Sequence, residues 1–388
     1  MLAVHRPIEV ITTCAQDYLT WRNEYPAGES ILNGVTVRRF GVDFERDAAF
    51  HRLMSSILGG LPLQAYHRHK TLMRALIARP SREQQLSLLR FQGPYSTPLL
   101  EHLAHNHRDY EAIFFFTYLY ATTYHGSLQV PAAKTVLIPT AHDEAMIFLP
   151  LYRSMFQRFA AIAFLTPEEQ EFVSSTFPIE DALQTIIGMP VTLPSEPDAS
   201  AFRRKHRIRW PFILYAGRID PSKGCGDLFR YFRQARRRFP DLHLVLIGSR
   251  AMSIPRDRYI HYLGHVSEAE KLGAMAAATV FVNPSAFESF SIVTLEAMLC
   301  GAPVLVNGQS EVLKGHVGRS SAGLYYESGP EFIEALQLLL GDIRLRSQMA
   351  NNGRIYVHRN YGRAVVEERY KAFVERVIAR TYSQPGAN

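Results

Sequence analysis

Cysteine is scarce: Cys14, Cys225 and Cys300 are the whole complement, and no two stand at CxxC spacing. That excludes a disulfide framework and a cysteine-built zinc site, and it fits a reducing compartment. Long apolar runs are missing too, so no segment has the roughly 20 residues a bilayer-crossing helix needs. Residues 1–7 lack the apolar core of a signal peptide. The expected location is cytoplasmic, either free or peripheral at the inner face of the cell membrane. There is no Asp-x-Asp-type cluster suited to Mg²⁺ and no internal repeat. Nor is there a basic stripe interleaved with aromatics, which sets nucleic acid aside as a partner.

What remains is a chain of 388 residues, 47% hydrophobic and carrying a net charge of +7. This length exceeds the usual ceiling for one hydrophobic core, so two domains are the default. The positive balance favours anionic partners. Short β-branched and aromatic runs recur at 8–13, 35–40, 112–117, 135–139, 162–165 and 185–187. After a Pro, Ser and Asp-rich stretch near residues 190–200 the pattern restarts at 212–216, 242–247, 259–263, 279–282, 303–306 and 323–326. Thr166-Pro167-Glu168-Glu169 and Ser267 with Glu270 read as helix starts, and helices are expected at 225–238 and 290–300.

Nearly continuous apolar strands alternating with helices indicate parallel sheets covered on both faces. The fold class is therefore α/β, with two doubly wound Rossmann-like domains facing a cleft. Residues 1–190 form the first domain, 191–355 the second, and 356–388 a helix returning to the first.

Two carboxylates stand out, Glu288 and Glu296, flanking a largely apolar segment. Half-buried acids need donors, and these could equally be a loop acid and an exposed helical one. Upstream, Gly217-Arg218-Ile219-Asp220-Pro221-Ser222-Lys223-Gly224 follows an apolar strand and carries two cations among turn glycines, the make-up of an anion site. His142 in Thr140-Ala141-His142-Asp143-Glu144 follows another apolar strand.

These residues together resemble the family 4 retaining glycosyltransferases of the GT-B fold. The resemblance rests on Gly217-Arg218 with Lys223-Gly224, on Asn283-Pro284-Ser285 leading to Glu288, and on Glu296-Ala297-Met298 leading to Gly301-Ala302-Pro303-Val304. It implies transfer of a hexose from a nucleotide diphosphate sugar, with a lean to a UDP-sugar such as UDP-glucose, onto a glycan or lipid-linked acceptor in bacterial polysaccharide or envelope assembly. Negative charge grows on the departing phosphate. Arg218 and Lys223 would stabilise it, so neither metal nor organic cofactor is expected. By resemblance Glu288 accepts from sugar hydroxyls and Glu296 from the ribose, while Phe290, Ser291 and Ile292 present amides and Gly217, Gly248 and Val266 border the nucleotide. His142 would contact the transferred sugar, with Asp143 as its candidate orienting partner. Family mechanisms favour front-face attack, the departing phosphate taking the acceptor's proton.

The basic and apolar segment 51–82 suits an anionic membrane carrying the acceptor, or an ordinary amphipathic helix pair. One departure is plain: a leading strand and glycine loop usual in the family have no counterpart, residues 1–7 resemble the tail of the following helix, and the first sheet is expected to lack a strand. Two alternatives therefore stand beside the enzyme: a donor-binding but inactive partner subunit, and a sugar-nucleotide epimerase.

Overall fold

Each of the twelve runs meets a strand, and a thirteenth strand forms at Gly28–Leu32, among residues 6–46 and 48–383, which the computed structural model describes. By its contacts the chain divides into two units, one of residues 1–187 and 367–388 and the other of residues 188–366. In the first unit β1 (Glu9–Thr13), β2 (Gly28–Leu32) and β3 (Val35–Phe40) make a sheet of order β1-β3-β2. β1 and β3 are parallel, and β2 is antiparallel to β3. This hairpin departs from the all-parallel expectation, and its turn explains it: Asn33 and Gly34 both take positive φ, +52° and +78°, as a two-residue hairpin turn requires.

The four remaining strands of this unit, β4 (Ile113–Phe116), β5 (Thr135–Ile138), β6 (Ala161–Phe164) and β7 (Leu183–Ile186), form a separate parallel sheet in that order. β5 and β6 are buried along their whole length, which is why they read as unbroken apolar runs. Of the segment expected as a helix tail, residues 1–5 lie outside those described, and Arg6 and Pro7 are not helical.

The second unit is a single parallel sheet of six strands: β8 (Phe212–Ala216), β9 (His243–Ile247), β10 (Ile260–Tyr262), β11 (Val280–Asn283), β12 (Val304–Asn307) and β13 (Gly323–Tyr326). Their order is β10-β9-β8-β11-β12-β13, with all neighbours parallel. Chain order thus reverses between β8 and β11. In doubly wound sheets that switch point opens a crevice at the carboxyl ends of the two strands, where ligands bind. Phe232 and Phe332, both fully buried, share one core cluster with Val280 and Val282 of β11. At the chain's end, helices Ile343–Tyr361 and Arg363–Ser383 are separated at Gly362. In the latter Thr381 donates to the Ala133 carbonyl of the first unit at 3.0 Å.

Candidate functional site

The loop leaving β8 begins at Gly217 and ends at Gly224, whose φ of +74° caps helix Cys225–Ala235. Between them Asp220 Oδ1 accepts from the Ser222 amide at 2.8 Å, which tightens the turn Pro221–Lys223 and fixes the base of the Lys223 side chain. The neighbouring backbones approach very closely. A Cβ on Gly224 would stand 2.1 Å from the Pro284 carbonyl oxygen, and one on Gly248, which follows β9, would stand 2.1 Å from that of Gly217. Glycine at these two positions is therefore a matter of space as well as of φ.

Across the switch point, Lys223 Nζ donates to Glu288 Oε1 at 2.9 Å. Glu288 sits on the loop after β11, its side chain 14% exposed. Glu296 lies in helix Ile292–Leu299 and receives Lys271 Nζ at 2.8 Å. Burial works against the Lys271 charge, but hydrogen bonds to Glu268 and Glu296 outweigh it and hold its pKa above the ordinary lysine value. Each motif glutamate thus has its own lysine, and the two are not arranged to share a proton. Arg218 Nε lies 3.4 Å from Asp220 Oδ2. Gly217, Arg218, Lys223, Glu288, Phe290, Ser291, Ile292 and Glu296 belong to segments that leave β8 and β11. Gly248 accepts a hydrogen bond at its carbonyl from Tyr262 at 3.0 Å and donates to the Gly264 carbonyl at 2.9 Å, two residues before Val266.

The turn before helix Ile292–Leu299 is held from below. Asn283 Nδ2 donates to Ser291 Oγ at 2.9 Å and to Thr294 Oγ1 at 3.1 Å, and its Oδ1 accepts from the Ser285 amide at 3.1 Å. Ser291 adopts φ +60°, ψ +65°, a left-handed conformation that is unfavourable for a residue with a Cβ. Ile292, the first residue of the helix, is exposed.

Behind this turn lies a wholly buried histidine. His316 Nε2 is 3.0 Å from the Phe290 carbonyl oxygen and Nδ1 is 2.9 Å from Tyr356 Oη. A carbonyl only accepts, so Nε2 carries the hydrogen and Nδ1 accepts from the tyrosine hydroxyl. Arg319 Nε, 3.3 Å away, donates to that hydroxyl in turn. Burial, helped by the Arg319 charge, pushes the His316 pKa down to about 3. Between that value and the unfolded value of about 6.5 the unfolded chain binds more protons. Stability from this group is therefore complete above pH 6.5 and is lost as pH falls, by about 1.4 kcal/mol per pH unit in that window. Denaturant midpoints of the wild type and His316→Gln, taken from pH 7.5 down to 5, should show the shallower slope in the variant. Equal slopes would assign the acid sensitivity elsewhere.

His142 belongs to the first unit, on the loop after β5. The carboxylate beside it is Glu144, at 3.6 Å, rather than the expected Asp143. Asp143 instead accepts from Lys70 at 2.8 Å, from Arg74 at 2.8 Å and from the Tyr66 hydroxyl. Three donors supplied by the basic segment at 66–74 explain why Asp143 turns to them. Glu144 also receives the Tyr118 hydroxyl at 2.7 Å, and although burial opposes its charge, the nearby His142 outweighs this and keeps the pKa below the usual value. Beneath the loop Glu169 is buried and accepts from the amides of Ala141 and Leu165, both at 2.6 Å. Burial pushes its pKa up to about 8.

Lys271, Asn283, Thr294, His316 and Glu144 were not assigned roles from the sequence. Asn283 stood within the Asn-Pro-Ser run and Glu144 next to Asp143, so both were within reach. Nothing local links Lys271 to Glu296 or His316 to Phe290.

A family model described as "Glycosyl transferases group 1" matches residues 211–342. The chain is 35% identical over 123 residues to a phosphatidyl-myo-inositol mannosyltransferase of Propionibacterium freudenreichii subsp. shermanii, a match covering 31% of this chain and 32% of that one. It is 24% identical over 268 residues to a GDP-mannose-dependent monoacylated alpha-(1-6)-phosphatidylinositol monomannoside mannosyltransferase of Corynebacterium glutamicum, covering 62% of this chain and 70% of that one. The Propionibacterium relative is thus matched over about a third of its length. Among solved structures, the fold is similar to sucrose-phosphate synthase from Thermosynechococcus elongatus, with a TM-score of 0.68 and 16% identity over 97% of this chain and 90% of the other. It is also similar to Anabaena HepE in complex with UDP and glucose, with a TM-score of 0.60 and 19% identity over 72% and 81%.

Proposed function

From the premise that the chain belongs to the family 4 glycosyltransferases of the GT-B fold, matching the group 1 model over residues 211–342, we propose that it moves a hexosyl residue from a nucleoside diphosphate sugar to a glycolipid or glycan acceptor. The observation that carries this reading is the Lys223–Glu288 pair at the switch point: an ammonium for the diphosphate and a carboxylate for sugar hydroxyls, 2.9 Å apart. In the proposed step the bond between the anomeric carbon and the β-phosphate oxygen breaks, its electron pair leaving with the phosphate, while the acceptor hydroxyl oxygen bonds to the same carbon and its proton passes to the departing phosphate. Lys223, Arg218 and the amides of residues 290–292 take up that charge. Glu288 holds the sugar and Glu296 the ribose, and a contact of His142 with the transferred sugar is proposed on the sequence resemblance alone.

The reaction is proposed, on the family resemblance, to retain anomeric configuration, and to need no metal because Arg218 and Lys223 on the loop after β8 would supply positive charge for the leaving group. The sequence resemblance leans to a UDP-hexose. The names of the two mannosyltransferase relatives favour mannose, one of them as GDP-mannose, and that is the donor we place first. Peripheral contact with an anionic membrane carrying the acceptor is proposed from the net charge of +7 and from the exposed Leu72 on helix Lys70–Ile77, whose Lys70 and Arg74 are themselves paired with Asp143.

A thermal-shift panel of GDP, UDP, GDP-mannose and UDP-glucose, with and without EDTA, tests the reading. A donor at 100 times its Kd should add about 2.7 kcal/mol of stability. The shift should be unchanged by chelator, and transfer to a lipid acceptor should give product of the donor's anomeric configuration by NMR. Indifference to every nucleotide would remove the donor site. Binding without turnover would favour an inactive partner subunit, and conversion of the donor without acceptor would favour an epimerase.

A further inference from the structure

We propose that His316 is a positioning residue for the donor diphosphate: by holding the Phe290 carbonyl in the core, it turns the Ser291 amide toward the phosphate. The inference rests on the donor reading above and deepens it. In a trans peptide the C=O and N–H point in opposite directions. The Phe290 oxygen is fixed at 3.0 Å from His316 Nε2, so the Ser291 N–H points away from the buried histidine. No protein acceptor reaches that N–H among the described residues. It stands at the start of helix Ile292–Leu299, where an outward amide adds to the positive end of the helix dipole.

The arrangement needs a holder. Ser291 at φ +60° lies in a left-handed conformation that its Cβ disfavours, and rotation of the Phe290–Ser291 peptide would relieve it. The hydrogen bond from Asn283 to Ser291 Oγ holds the side chain but leaves the peptide plane free to turn. Only the Phe290 carbonyl reports on that plane, and its partner is His316. The direction of donation is also set: Arg319 gives to Tyr356, Tyr356 to His316 Nδ1, and His316 Nε2–H to Phe290. A protonated ring would still donate to Phe290 but could no longer accept from Tyr356. Burial disfavours that form, so the neutral ring with hydrogen on Nε2 is the one that holds the peptide. Phe290 and Tyr361 stack edge-on beside it at 5.1 Å, giving packing that does not depend on the hydrogen bond.

The test uses His316→Leu, His316→Gln and Tyr356→Phe in the full chain, read by calorimetric titration with UDP, GDP, uridine and guanosine and by crystal structures of the variants. His316→Leu should weaken the diphosphates by about 10- to 100-fold while leaving the nucleosides unchanged, since only the former use the amide. Glutamine, whose amide donates to the same carbonyl, should recover most of the loss. Tyr356→Phe, which removes the tautomer-fixing donor and keeps the ring, should give a smaller loss confined to the diphosphates. In the structure of His316→Leu the Phe290–Ser291 peptide should have turned over. An unturned peptide, or nucleosides and diphosphates weakened alike, would overturn the proposal. If no nucleotide binds the wild type, the donor reading falls, and the peptide's orientation in the variant still decides the role of His316. If His316→Leu does not fold, Tyr356→Phe carries the same two readouts, and an unchanged diphosphate affinity there overturns it.

Discussion

Glu288→Gln should lower transfer by about 10- to 100-fold and leave nucleoside diphosphate affinity at or above that of the wild type. The two halves of that expectation have separate causes. Glu288 is proposed to accept from sugar hydroxyls, and an amide is a weaker acceptor than a carboxylate and offers only one oxygen. In the free protein the same carboxylate holds Lys223 at 2.9 Å, so its loss releases an ammonium to the phosphates. Steady-state rates with saturating donor, beside titration with GDP and UDP, check both halves. A variant that transfers at the wild-type rate would remove Glu288 from the site, and one that loses diphosphate affinity would mean the pair acts as a unit in binding.

Gly224→Ala should destabilise the protein by about 3 kcal/mol or more. Its φ of +74° already disfavours a Cβ, and the new atom would meet the Pro284 oxygen at 2.1 Å. The obstacle is backbone at the end of a core strand, so neither partner can step aside cheaply. Because Gly224 follows Lys223 directly, the shift would also displace the ammonium from Glu288. Urea unfolding followed by circular dichroism measures the first effect, and diphosphate titration of the folded fraction the second. An alanine variant with wild-type midpoint would show that the loop and β11 can separate without cost.

Much of this was legible in the sequence because it was written locally. β5, β6 and β8 fall on apolar runs that have no polar alternation, since both faces of these strands are covered. The Gly-Arg and Lys-Gly loop and the two glutamates were visible as spacing. β2 went unseen although its turn, Asn33-Gly34, is a strong short-range hairpin signal, because the exposed strand Gly28–Leu32 presents no core face. Asp143 was taken as a partner for His142 on adjacency alone. In an extended loop successive side chains point opposite ways, and Asp143 turns to Lys70 and Arg74 while Glu144 meets the histidine. The hold of His316 on Phe290 spans 26 residues and two elements, and only the sheet order brings them together.

The ion pair between Lys223 and Glu288 bears last on turnover. A cation left bare by a departing diphosphate would cling to it, and the cycle would stall at product release. Lys223 has a carboxylate within reach that can take it back, so on the proposed reaction each release of product would be compensated by an internal contact re-forming. The same residue that grips the donor sugar would then, on the proposed reaction, help to empty the site.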